Sequence, residues 1–157
     1  MIDLKFDKTI NKPIQEVWDF VVNDFPKGHL WATGTTHCRK GEPHEDFDRV
    51  CDTESGRLMD TITKLDNENH VLEFSVKGLP FFVGSVTSTW TLDKISDNQT
   101  KITLGPQIHV KPGIGTIAQF PMKRALKKLY PGLMDDLVIY VETGKPSPRK
   151  QKELHNN

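Results

Sequence analysis

The chain has 157 residues, with 21 Lys plus Arg balanced by 21 Asp plus Glu; that length suits one domain burying about 70% of its unfolded surface around a core or a pocket. The balance leaves no global field favouring nucleic acid or an acidic membrane surface, and a nucleic-acid partner is not expected. The opening MIDLKFDKTI alternates instead of running apolar, which argues against a signal peptide or a membrane span, and the protein is expected in the cytoplasm.

Ile2, Leu4 and Phe6 alternate with polar residues, the pattern of a strand with one buried face. Pro13 suits a first helical position, and Ile14, Val17, Trp18, Val21, Val22 and Phe25 follow at steps of three and four, which predicts a helix. Pro26, Gly28 and Gly34 break that pattern around HLWA, where a short helix or turn is expected. From Thr35 the rhythm is β-rich, with runs at 35–40, 47–53, 57–65, 70–77, 84–94 and 100–110 separated by short turn clusters. Short links favour antiparallel neighbours, so the prediction is a seven-stranded antiparallel sheet in an α+β fold. Val86, Ser88, Trp90 and Leu92 alternate with Ser85, Thr87, Thr89 and Thr91, which gives the sheet one dry and one wet face.

Helices must cover the dry face. The segment from Ile114 to Glu142 carries Met122, Leu126, Leu129, Leu133, Leu137 and Tyr140 on one helical stripe, and as the longest helix it is expected to provide most of that cover. Pro131 and Gly132 interrupt the stripe and predict a bend near Tyr130. The domain is expected to span 1–143. Residues 144–157, GKPSPRKQKELHNN, read as a disordered basic tail. Cys38 and Cys51 have no metal-like spacing and are expected as free thiols in a reducing compartment.

The order strand, helix, short helix, six strands, long helix resembles the helix-grip fold of the START-like (SRPBCC) superfamily, and within it the polyketide cyclase/dehydrase-like proteins. INKPIQEVW, Trp31 after the short helix, Gly56-Asp60-Ile62-Asp66, Leu79-Pro80 and the closing YPGLMDDLVIYVETG carry the likeness, from Ile2 to Thr143. Asp60 stands where glutamate is commoner, and the basic KRALKK of the helix is a further departure. The resemblance implies a curved sheet gripping the long helix around a cavity for a lipid, sterol, quinone or polyketide-like molecule.

In that frame Trp31, Phe74 and Trp90 are candidate ligand-binding walls, Met122, Leu126 and Tyr130 face them from the helix, and Asp60 is the polar contact. The same aromatic and aliphatic residues also suit plain core packing. Asp60 shares the parity of Leu58 and Ile62, so it points inward with them; there it is either a general acid or base for a cyclase/dehydratase or the partner of a neighbouring cation. A third reading is a protein-interaction module with a filled cavity. KRALKK, with Lys123, Arg124, Lys127 and Lys128, is the candidate for a transient membrane contact. No metal or cofactor is expected: His37, His44, His70 and His109 are scattered, and GLPFFVG is not a phosphate loop.

Overall fold

The structure, a computed structural model describing residues 1–156, opens with a strand that a proline on its partner cuts in two. β1 (Ile2–Asp3) and β2 (Phe6–Ile10) both pair antiparallel with β8 (Gln99–Val110) in one register, Ile2 opposite Ile108 and Phe6 opposite Leu104. Between them the Leu4 N–H donates to the Pro106 carbonyl at 3.1 Å. Pro106 has no N–H to return, so the ladder lapses there and the sheet counts eight strands where the alternation predicts seven.

The other strands are β3 (Thr35–Lys40), β4 (Arg49–Thr53), β5 (Gly56–Asp66), β6 (Val71–Lys77) and β7 (Val83–Ser96). All neighbours are antiparallel, in the order β1-β8-β7-β6-β5-β4-β3 with β2 also on β8, and the sheet is open and curved. Apart from small shifts at strand ends, these are the runs expected from the turn chemistry.

α1 (Ile14–Asn23) and the 3₁₀ turn Phe25–Leu30 cover one end of the concave face. Val17, Trp18, Val21, Phe25 and Trp31 are buried in one cluster with Leu72, Phe74, Trp90, Leu92, Ile102 and Leu104. Each fully buried valine there contributes about 1.5–3 kcal/mol. The Trp18 indole N–H donates to Asn67 Oδ1 at 3.0 Å, so its polar edge is satisfied at the rim of that cluster.

α2 (Ile114–Thr143) runs through Pro121 and Pro131 as one helix and covers less of the sheet than its stripe predicts. Its buried residues are Gly115, Met134, Asp136 and Leu137, so the second half anchors the helix. Leu129 is 54% exposed; lying about 60° round the helix from Leu126, it sits on the margin of the stripe. α2 comes closest to β2 and β8, and its approach to β5, β6 and β7 is wider. Much of the cover expected from it is supplied by α1 and the 3₁₀ turn.

Two expectations are corrected. The basic end is not disordered: Pro148–His155 is a helix, α3, with Ser147 as its N-cap accepting from the Lys150 N–H and Pro148 in its first turn. Its charges are anchored, which composition does not reveal. Asp136 accepts from Ser147 Oγ at 2.6 Å and from Arg149 Nη2 at 2.7 Å, while Lys150 Nζ, 1% exposed as a residue, donates to the Thr35 carbonyl at 2.7 Å and to Glu153 at 2.6 Å. Gly132 makes room for this docking, since a Cβ there would stand 2.8 Å from the Arg149 guanidinium. Asn157, the end of the expected tail, lies outside the described residues. Nor are the cysteines free: Cys38 and Cys51, directly opposite in the β3–β4 pair, form a disulfide. Their strand register brings them together, a relationship that the expected compartment had outweighed.

Candidate functional site

Cross-strand register assembles the concave face row by row. Arg49, Asp60, Val76, Val86 and Ile108 face one another across β4 to β8, and the next row is Ile62, Phe74, Ser88 and Pro106. Asp60 is 2% exposed, as its parity predicts. Such a carboxylate needs a partner, and Arg49 supplies it through Nε at 2.7 Å and Nη2 at 2.6 Å, both to Oδ2.

Arg49 is itself held from three sides. Its Nη1 donates to the Phe25 carbonyl at 2.9 Å. The guanidinium carbon lies 3.8 Å from the centre of the Phe25 ring and 5.3 Å from that of Phe74, cation–π distances that stabilise a cation away from water. Burial pushes the Asp60 carboxyl above the ordinary aspartate value, and the charge and hydrogen bonds of Arg49 pull it part of the way back.

The candidate residues fall into two groups. Trp31, Phe74 and Trp90 are buried in the main core, Phe74 edge-on to Trp90 with ring centres 6.0 Å apart, and Tyr130 packs at the margin of that core. Met122 and Leu126 pack instead on a second cluster of Ile2, Leu4, Val86 and Ile108; Phe6 and Val76 touch both clusters. Tyr130 stacks on Phe6 with ring centres 4.8 Å apart and planes 11° from parallel. Burial, then the nearby charge of Asp60, pushes its hydroxyl up to about 12, so it stays protonated and able to donate at neutral pH.

Space is unevenly distributed. Behind Trp31 and Trp90, with Phe25 and Arg49, the void is about 10 Å³, enough for one water molecule at most. In this conformation the aromatic walls are core. Under the first half of α2 the side chains are less completely covered: Met122, Leu126, Tyr130, Val76 and Ile62 pack on the core clusters with intermediate exposure. A separate open groove of about 370 Å³, between α1 and the end of α2, is lined by Lys12, Glu16, Phe20, Asp24, Tyr140 and Val141 and lies apart from Asp60. Among the described residues no group of three or more His, Cys, Asp or Glu is placed to hold a metal ion, and no helix is long and apolar enough to cross a membrane.

Arg49, Phe25 and Ser88 belong to this face beside the residues singled out from the sequence. For Arg49 the signal was available: a tight turn at Glu54–Ser55 pairs positions whose numbers share one sum, which puts Arg49 opposite Asp60.

With this geometry, the family described as polyketide cyclase / dehydrase and lipid transport matches residues 1–142. The chain belongs to that family. No curated protein matches it in sequence. Among solved structures it is similar to the Zhui aromatase/cyclase from a Streptomyces species, with 11% identity and a TM-score of 0.75 over 93% of this chain and 99% of that one. A START superfamily protein from Mycobacterium smegmatis gives 12% identity and a TM-score of 0.69 over 89% and 97%. At these identities the likeness is one of fold, and it agrees with the START-like, helix-grip architecture expected for a polyketide cyclase/dehydrase-like chain.

Proposed function

We propose that the protein binds one small hydrophobic molecule, of the lipid, sterol, quinone or polyketide class, between the concave sheet face and the first half of α2. The observation that carries this reading is the half-burial of Met122, Leu126 and Tyr130 above a face whose floor is apolar except for Asp60, Arg49 and Ser88. A seam that is apolar on both sides and incompletely closed has surface to gain from a guest. Residues 114–132 hold one buried residue, Gly115, while the helix beyond is anchored by Met134, Asp136 and Leu137. Outward movement of the first half, about the Pro131–Gly132 pair, opens the seam at the cost of the Tyr130–Phe6 stack and the Gly115 contact with Phe82, and leaves the buried anchors Met134, Asp136 and Leu137 in place. Trp31, Phe74 and Trp90 then form the deep wall, and Asp60 with Tyr130 takes the polar end of the cargo.

Proton transfer by Asp60 in a cyclisation or dehydration is the second reading, favoured by burial raising its carboxyl. It ranks behind binding because two short bonds from Arg49 occupy Oδ2, which suits a fixed charge better than a proton carrier. Native mass spectrometry of protein purified from its own cells, with thermal-shift screening of fatty acids, sterols, quinones and aromatic polyketides, tests the binding reading. A retained apolar adduct, or a class raising the melting temperature, supports it; no adduct and no shift in any class count against it.

A further inference from the structure

One end of the molecule leaves large apolar side chains in water. Phe81, in the turn between β6 and β7, is 73% exposed, and Ile114, Ile117 and Phe120 on the first two turns of α2 are 61%, 76% and 70% exposed. Single apolar residues on a surface need no explanation, but a gathered set does. These are gathered: the Lys111 N–H donates to the Phe82 carbonyl at 2.8 Å, and a Cβ on Gly115 would stand 3.0 Å from the same oxygen, so turn and helix start share one tip.

Charge is distributed to match. No Asp or Glu occurs from Phe74 to Leu92, nor from Asn98 to Met134, although the whole chain is neutral. Exposed Lys123, Arg124, Lys127 and Lys128 follow the apolar tip on α2, and Lys111 precedes it. At 100° per residue Ile114, Ile117 and Phe120 lie on the same outer half of the helix as these four cations, opposite Met122 and Leu126. From Phe120 to Arg124 the axial distance is about 6 Å, comparable to the roughly 5–10 Å by which an interfacial helix sinks its apolar face below lipid headgroups.

We propose that this tip is a docking site for an anionic lipid surface: Phe81, Ile114, Ile117 and Phe120 enter the headgroup layer, and Lys123, Arg124, Lys127 and Lys128 meet the lipid phosphates. The proposal deepens the cargo reading and rests on it, because the inserted half of α2 is the half that closes the seam. Docking replaces water around the exposed side chains by lipid and presents the mouth of the seam to the bilayer. A lone apolar tip would serve equally for a second copy of this chain; the cationic collar selects an anionic surface, since two like-charged collars repel.

Co-sedimentation of the full chain with vesicles of phosphatidylcholine, alone or mixed with phosphatidylserine, tests it. Binding is expected to the anionic vesicles, to weaken with added salt, and to fall at least about tenfold in the Lys123→Gln, Arg124→Gln, Lys127→Gln, Lys128→Gln variant, given about fivefold per cation near such a surface. Ile117→Ser with Phe120→Ser should remove it at an unchanged melting temperature. Equal binding to both vesicle types, no binding, or self-association abolished by the serine pair in sedimentation velocity overturns the proposal. Thermal shifts on the same variants separate the two ideas: cargo stabilisation without vesicle binding rejects docking alone, and vesicle binding without cargo rejects the cargo reading alone.

Discussion

Arg49 and Asp60 stand directly opposite each other in the β4–β5 hairpin, with Nη2 2.6 Å from Oδ2 and side chains 13% and 3% exposed. The pair places a fixed dipole in a largely apolar face, beneath Phe25 and Phe74. On the binding reading proposed above, it would orient a guest, while the surrounding aliphatic surface would supply the driving force.

Breaking that pair should cost more than removing it. Arg49→Met leaves a buried carboxylate without its cation, and a loss of about 3–5 kcal/mol in urea unfolding is expected; Arg49→Met with Asp60→Leu should recover most of it. Losses that simply add in the double variant would mean that the two groups act independently.

The pH dependence of the same acid has a definite sign. Its carboxyl is raised in the folded protein, so its contribution is full below the unfolded value of about 3.9 and is lost as pH rises through the folded value. Between those limits wild type should lose stability relative to Asp60→Asn as pH increases, measured by unfolding in a pH series. A difference that stays flat or grows with pH contradicts the assignment.

Asp136 behaves in the opposite way. Burial alone would raise it, but hydrogen bonds from Arg149, Ser147 and Thr33 together outweigh burial and hold it below the usual aspartate range. Its contribution is present above about pH 3.9 and is lost as pH falls through the depressed value. Acidification through that window should release α3 first, seen as faster amide hydrogen exchange at residues 149–155 than in the strands. Asp136→Asn should weaken α3 protection at neutral pH, with a cost of about 1.5–3 kcal/mol.

The Cys38–Cys51 bridge closes a loop with a sequence separation of 13. Constraint of the unfolded chain over such a loop is worth about 3 kcal/mol. Cys38→Ser with Cys51→Ser should therefore lower unfolding stability by roughly 2–4 kcal/mol. Thiol trapping in intact cells complements it: a cysteine pair that alkylates completely before lysis would show that the bridge is absent in the cell.

The sheet was legible because its turns are marked by Gly, Asn and Asp clusters and because Val86, Trp90, Ile102 and Leu104 keep strict alternation. Asp60 was legible for the same reason, its parity with Ile62. The split of the first strand depended on Pro106, roughly a hundred residues away, which no local pattern connects to Leu4. α3 was hidden because its stabilisation is long-range and ionic: Lys150 on Thr35, Glu153 on the Gly34 N–H, Arg149 on Asp136. Periodicity marked Leu126 and Leu129 as one stripe, and only the placement of the axis over β2 and β8 separates the residue that faces the sheet from the one that faces water.

Methyl-resolved NMR during titration with a ligand identified by native mass spectrometry addresses the central claim most directly. The account predicts saturable shifts at Met122, Leu126, Val76 and Val86, with Met134 and Leu137 nearly still. Shifts confined to Ile114 and Ile117, or to the groove beside Val141, would place the guest elsewhere and contradict it.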